Sequence, residues 1–116
     1  MNKVFYLSTC DTCKRIINEL ELKEKGFSFQ DIKTEQITAV QLEDLKNKAG
    51  SYEALFSKIA RKYKELKLNE KELTESDMKK LILEEYTFLK RPVILMQDKI
   101  FVGSSKNTLA EAKKIL

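Results

Sequence analysis

Cys10 and Cys13 are the only cysteines in a chain of 116 residues that contains no histidine. A Cys-x-x-Cys pair can carry thiol–disulfide chemistry when one sulfur ionises and the other lies within bonding reach. The flanking sequence supports both conditions. Val4-Phe5-Tyr6-Leu7 is continuously apolar, as expected of a strand covered on both faces. After the motif, Cys13, Ile16, Ile17 and Leu20 recur at i, i+3, i+4 and i+7, one face of a helix. Cys10 is therefore expected at a helix N-terminus, where unpaired N–H groups and the macrodipole favour a thiolate. Cys13 follows one turn later, within disulfide reach. Asp11 opposes the thiolate while Lys14 and Arg15 partly offset it, so local sequence leaves the sign of the net shift open.

Two other readings of the pair are weaker. A structural zinc site usually needs four ligands, and this chain offers two soft ones, so it would need a second copy. The cysteines could also be buried as small hydrophobes.

The length suits a single domain, 1–116, with a real core. Met1-Asn2-Lys3 leads straight into the first strand, so no signal peptide is expected, and no apolar run approaches the ~20 residues of a membrane span. A soluble cytoplasmic protein is expected, where two such cysteines are redox-active rather than a staple. Without histidine, Cys–His and Ser–His catalysis are excluded. The 22 basic and 18 acidic residues leave a net charge of +4 and are interleaved, as in Lys62-Tyr63-Lys64-Glu65. Such patterns suit solvated helix faces. A monomer with no direct nucleic-acid or membrane partner is expected.

Along the chain, Gly26 reads as the left-handed terminator of the first helix, and Phe27 to Ile32 as a second strand. Thr38-Ala39-Val40-Gln41 is a capping box with Ile37 and Leu42 as its hydrophobic staple, and Thr74-Glu75-Ser76-Asp77 resembles another, with Leu73 and Met78. Gly50-Ser51 breaks the chain between them, and Ile59, Tyr63 and Leu66 suggest a further amphipathic stretch. Pro92, the only proline, opens Val93-Ile94-Leu95-Met96, which Gln97-Asp98-Lys99 separates from Ile100-Phe101-Val102 as a hairpin. Leu109, Ala112 and Leu116 line a last helix. The order is β-α-β, a helical segment, then β-β-α.

This order, with a cysteine motif at the first strand–helix junction and a proline opening the third strand, resembles the thioredoxin fold. Tyr6-Leu7-Ser8-Thr9-Cys10-Asp11-Thr12-Cys13-Lys14 and Leu89-Lys90-Arg91-Pro92-Val93-Ile94 narrow the resemblance to the arsenate reductase-like family, which includes the Spx regulators. It covers essentially the whole chain. The fold implied is α/β: a four-stranded mixed sheet with a helical insertion at about 36–89.

The resemblance further implies that Cys10 is the nucleophile and Cys13 its resolving partner. It places Arg91 in the catalytic site, with Pro92 beside the sulfur in the cis form. Thr9, Asp11, Thr12, Lys14, Arg91 and Pro92 would contact substrate. No bound cofactor is implied; a glutathione or thioredoxin system would supply electrons, and a disulfide-bearing protein is an expected partner. Members that reduce arsenate surround the oxyanion with three arginines. Only Arg91 matches: Ser57 or Ile59 stands where the second belongs, with Arg61 out of register, and Lys106 is the cation closest to the third. Arsenate itself is therefore not the expected substrate. The Spx resemblance, through Cys10-x-x-Cys13 and Gly50, implies the alternative of a redox-sensing regulator that engages RNA polymerase.

Overall fold

Strands β1 (Asn2–Tyr6), β2 (Ser28–Asp31), β3 (Val93–Met96) and β4 (Lys99–Val102) form one sheet in the order β2-β1-β3-β4. β1 pairs parallel with β2 and antiparallel with β3, and β3 pairs antiparallel with β4. Helices α1 (Asp11–Glu19) and α5 (Lys106–Ile115) follow β1 and β4. The computed structural model describes residues 2–116, and the chain divides into two units: residues up to Glu35 together with Arg91–Leu116, and Gln36–Lys90.

In the sheet unit, strand alternation places Val4, Ile94 and Met96 on the face that meets Ile16, Ile17 and Leu20 of α1 and Ala112 of α5. Tyr6, Phe29, Phe101, Leu109 and Leu116 pack around this core. Phe5 and Val93, on the opposite face, are also buried, as the unbroken apolar runs anticipate. Gln30 shares that face at 1% exposure, and its Nε2 donates to the Glu35 carbonyl at 3.1 Å.

Two local expectations need correction. Gly26 does not end α1. The helix stops at Leu20, where Glu21 turns left-handed (φ 54) and two backbone bonds close a Schellman motif, Glu21 N–H to Asn18 O and Leu22 N–H to Ile17 O. Buried Leu22 and Ile17 make the accompanying apolar contact. Gly26 (φ 81) closes a second such turn just afterwards, with Phe27 N–H to Leu22 O. The glycine signal identified a left-handed terminator but assigned it to the wrong turn. In the hairpin, Met96 pairs with Lys99, so the loop is the two residues Gln97-Asp98 rather than three, and Gln97 adopts the required positive φ of 49.

The second unit contains α2 (Ala39–Ala49), α3 (Arg61–Glu65), α4 (Glu75–Glu84) and three short 3₁₀ turns. Both capping boxes are complete: Thr38 with Gln41, and Thr74 with Asp77. Gly50 (φ 101) caps α2. Phe56 bridges to Leu89, stacks on Phe88 at 5.2 Å and meets Tyr63 edge-on at 6.1 Å. The stretch built on Ile59, Tyr63 and Leu66 is not buried as a stripe: Ile59 is 95% exposed and Leu66 47%. Helix α3 is only five residues long, so Ile59 precedes it and Leu66 lies at its end, and helical periodicity never aligns them. Leu68 is buried instead.

A side chain in the left-handed region costs roughly 1–2 kcal/mol, part of which glycine's extra unfolded-state entropy offsets. Glu21→Gly is therefore expected to stabilise the protein by about 1 kcal/mol, seen as a higher urea midpoint at unchanged m-value.

Candidate functional site

The parallel pairing of β1 and β2 fixes where the cysteine loop begins. Ile32 N–H donates to Tyr6 O at 2.9 Å, and Leu7 beyond it is buried. A tight turn then carries the chain from Leu7 to Cys10, closed by Cys10 N–H to Leu7 O at 3.0 Å. Cys10 occupies the N-cap of α1 in an extended conformation, and its carbonyl accepts Lys14 N–H at 3.2 Å. At the N-caps of α2, α4 and α5, a hydroxyl accepts a first-turn N–H. Cys10 makes no such cap bond. The N–H groups of Thr12 and Cys13 face a polarisable sulfur instead.

The two thiols are displaced in opposite directions. Partial burial disfavours the Cys10 thiolate, but the Cys13 N–H and thiol, the Arg91 charge and the Thr12 N–H outweigh it and hold Cys10 below the ordinary thiol range. Cys13 is fully buried. Burial pushes its thiol up to about 11, and the neighbouring Cys10 sulfur pushes the same way, against a Leu7 backbone hydrogen bond and Arg91. Both sulfurs are free thiols.

Arg91 reaches this site through the sheet. Phe5 pairs with Val93, so Arg91 and Pro92 enter β3 at the end where β1 leaves for the cysteine loop. The Arg91–Pro92 peptide is cis, and Pro92 O accepts Gly103 N–H at 2.9 Å. Of the other expected site residues, Thr9, Asp11, Thr12 and Lys14 are exposed in the loop and first turn, Arg91 is half-buried and Pro92 is buried. Arg91 is the charged side chain acting most on Cys10. Ser57 is buried and donates its N–H to Phe88 O at 2.7 Å, and Arg61 is exposed on α3. Lys106 is exposed at the start of α5. Among the described residues, no three potential metal ligands cluster, and no helix is long and apolar enough to cross a membrane.

Sequence reasoning missed Asp31. At the end of β2, its Oδ1 accepts Ser8 N–H at 3.4 Å and Lys33 N–H at 3.1 Å. The Ser8 hydroxyl, ahead of those N–H groups and the Lys33 charge, holds the carboxyl below its ordinary range. Asp31 thus grips the middle of the turn that delivers Cys10. Ser8 and Asp31 are 23 positions apart, so only the Tyr6–Asp31 register brings them together, and no local signal marks the pair.

The ArsC family model matches residues 5–112. The chain belongs to the ArsC family. Solved structures share its thioredoxin-like fold. An ArsC family related protein from Bacteroides fragilis is 22% identical, with a TM-score of 0.82 over 99% of this chain and 97% of its own. An arsenate reductase from Vibrio cholerae is 15% identical, with a TM-score of 0.80 over 99% and 97%. A Staphylococcus aureus protein solved in solution is 26% identical, with a TM-score of 0.77 over 96% and 97%. No curated protein sequence matches the chain.

The site geometry makes two measurable statements. Substoichiometric iodoacetamide at neutral pH should modify Cys10 before Cys13, with a midpoint for alkylation below that of a free thiol. Arg91→Ala should move that midpoint up and slow alkylation near pH 7 about fivefold, as expected from losing ~1 kcal/mol of charge pairing; an unchanged titration in the folded variant refutes the role. The second concerns alkaline stability. Cys13 titrates higher folded than unfolded, so its contribution is fully present below the ordinary thiol pKa of 9.0 and is lost as pH rises through about 11. Cys13→Ala should flatten the loss of stability across that window by roughly 2–3 kcal/mol, measured by urea unfolding of both proteins.

Proposed function

We propose that this ArsC-family protein is a thiol–disulfide oxidoreductase working through Cys10 and Cys13. The observation that carries the reading is the placement of the two thiols within one helical turn: Cys10 accessible at the N-cap, Cys13 fully buried, an arrangement that favours ionisation of the first and opposes that of the second. Cys10 is then the attacking thiolate, and Cys13 stays protonated and in reserve. Cys10 attacks one sulfur of a disulfide substrate and expels the other half as a thiolate. Cys13, releasing its proton to solvent, attacks the Cys10 sulfur, expels the second thiolate and leaves a Cys10–Cys13 disulfide.

Capture of Cys10 as a mixed disulfide removes its negative charge, and with it part of what raises Cys13. Resolution therefore becomes easier once substrate is bound. A glutathione or thioredoxin system returns the two electrons, as is available in the cytoplasm. The cis Arg91–Pro92 segment and the exposed Thr9, Asp11, Thr12 and Lys14 form the surroundings a substrate would meet.

Arsenate is a poor candidate. Of the cations considered for its oxyanion, Arg91 acts on Cys10, and Lys14, Arg15, Arg61 and Lys106 are each exposed. Loss of a single oxyanion donor commonly costs about 10²–10³ in rate. The regulator reading gains nothing from Gly50, since its left-handed cap conformation accounts for a glycine there.

Cys13→Ser should accumulate mixed disulfides on Cys10, identifiable by mass, while the wild type turns over a disulfide with glutathione or thioredoxin as reductant. Reversible oxidation without turnover would favour the regulator that engages RNA polymerase. With arsenate in a coupled assay, little or no saturable rate is expected; robust turnover would overturn that expectation.

A further inference from the structure

Resting on the redox reading above, we propose that the substrate of this thiol pair is an anionic disulfide, drawn in by a cluster of cations at the cysteine end of the sheet. The topology gathers this charge. β1, β2 and β4 end where β3 begins, and α1 and α5 both start there and run back along the sheet. That end therefore collects Lys14 and Arg15 from α1, Lys33 after β2, Arg91 before β3 and Lys106 from α5. Its carboxylates are Asp11, Asp31 and Glu35, and Asp31 is already held by the N–H groups of Ser8 and Lys33 and offset by the Lys33 charge. Five cations thus stand against three carboxylates, and two helix N-termini add positive potential of their own.

Pairing does not cancel this field. Among the described residues, Lys14, Arg15, Lys33 and Lys106 take part in no ion pair. Toward the far ends of the same helices the opposite holds: Lys113 pairs with Glu19 and Lys114 with Glu111, each at 3.3 Å. Arg91 acts on the Cys10 sulfur itself. The exposed lysines and Arg15 act instead on an arriving molecule, because solvent-exposed charge still reaches about 10 Å at 0.1 M salt. Such fields raise encounter rates with opposite charge by about 10- to 10³-fold.

The reaction is the exchange already written. Cys10 thiolate forms a bond to one sulfur of the disulfide, the S–S bond breaks and one anionic thiolate leaves. Cys13 loses its proton to solvent, bonds to the Cys10 sulfur and releases the second thiolate. The cysteine pair is oxidised by two electrons and the disulfide reduced by two. The cations matter most at the first step, when an anionic disulfide must approach a thiolate that would otherwise repel it.

Three disulfides test the proposal on the wild-type protein: oxidised glutathione, doubly anionic; hydroxyethyl disulfide, neutral; and cystamine, doubly cationic. Rates of Cys10–Cys13 oxidation are divided by those of the same disulfides with mercaptoethanol, which removes their intrinsic reactivity. At about 10 mM salt the normalised rate for oxidised glutathione should exceed that for cystamine by at least about tenfold, and the gap should close to within about twofold at ~0.5 M. In the double variant Lys33→Glu, Lys106→Glu, the anionic-to-neutral ratio should fall; using a ratio cancels any general loss of activity. Equal normalised rates, or a preference indifferent to salt, would overturn the charge proposal while leaving the redox reading standing. Failure of all three disulfides to oxidise the pair would overturn both. If the variant does not fold, the wild-type charge and salt series decides alone.

Discussion

The junction between β1 and α1 carries the rest of the site. A strand held on both sides must release its chain into a helix within four residues, and the first turn of that helix leaves N–H groups without intrahelical acceptors. At the three α-helices of ten or more residues a hydroxyl at the N-cap satisfies one such group: Thr38, Thr74 and Ser105 each accept such a bond. At α1 the cap is Cys10, which makes none. The N–H groups that would have stabilised a helix end are left to stabilise a thiolate. A modest loss of capping, of the order of 1 kcal/mol, is thus exchanged for a reactive group.

Burial separates the roles of two residues that are chemically identical. Cys13 lies one turn inside the helix, fully buried on the apolar stripe it shares with Ile16 and Ile17. Ionising it there requires desolvating a charge, and Cys10 adds repulsion of its own. At Cys10, half-buried at the end of the same helix, desolvation is again the largest single influence, but the Cys13 N–H and thiol, the Arg91 charge and the Thr12 N–H together outweigh it. Arg91 lowers both thiols, so it does not create the asymmetry; position along the helix does.

Family membership does not by itself carry a substrate with it, so the proposal rests on the surroundings of the sulfur. The proposed exchange asks only for an accessible thiol and a second thiol one helical turn away, and Cys10 and Cys13 are placed so. Holding a tetrahedral oxyanion needs several donors aimed at one point, and a lysine on a helix surface lacks the rigid fork of a guanidinium. The exposed cations at this end therefore suit attraction at a distance better than coordination at contact.

Much of this was legible in sequence, for reasons that differ between residues. Local signals read correctly wherever the physics is local: the strand–Cys10–helix junction, the capping boxes at Thr38 and Thr74, and the apolar stripe that buries Cys13 all depend on neighbours within about one turn. Such signals failed where two similar local solutions compete. Glu21 took the left-handed position expected of Gly26, and α3 stopped before Ile59 and Leu66 could share a face. Long-range relations were out of reach. Asp31 meets Ser8, and the Arg91 charge meets Cys10, only because particular strands pair in particular register. The direction in which each thiol shifts was likewise decided by tertiary structure, because ionisation responds to the summed burial, charges and N–H groups around a sulfur, and spacing along the chain fixes only the nearest of these.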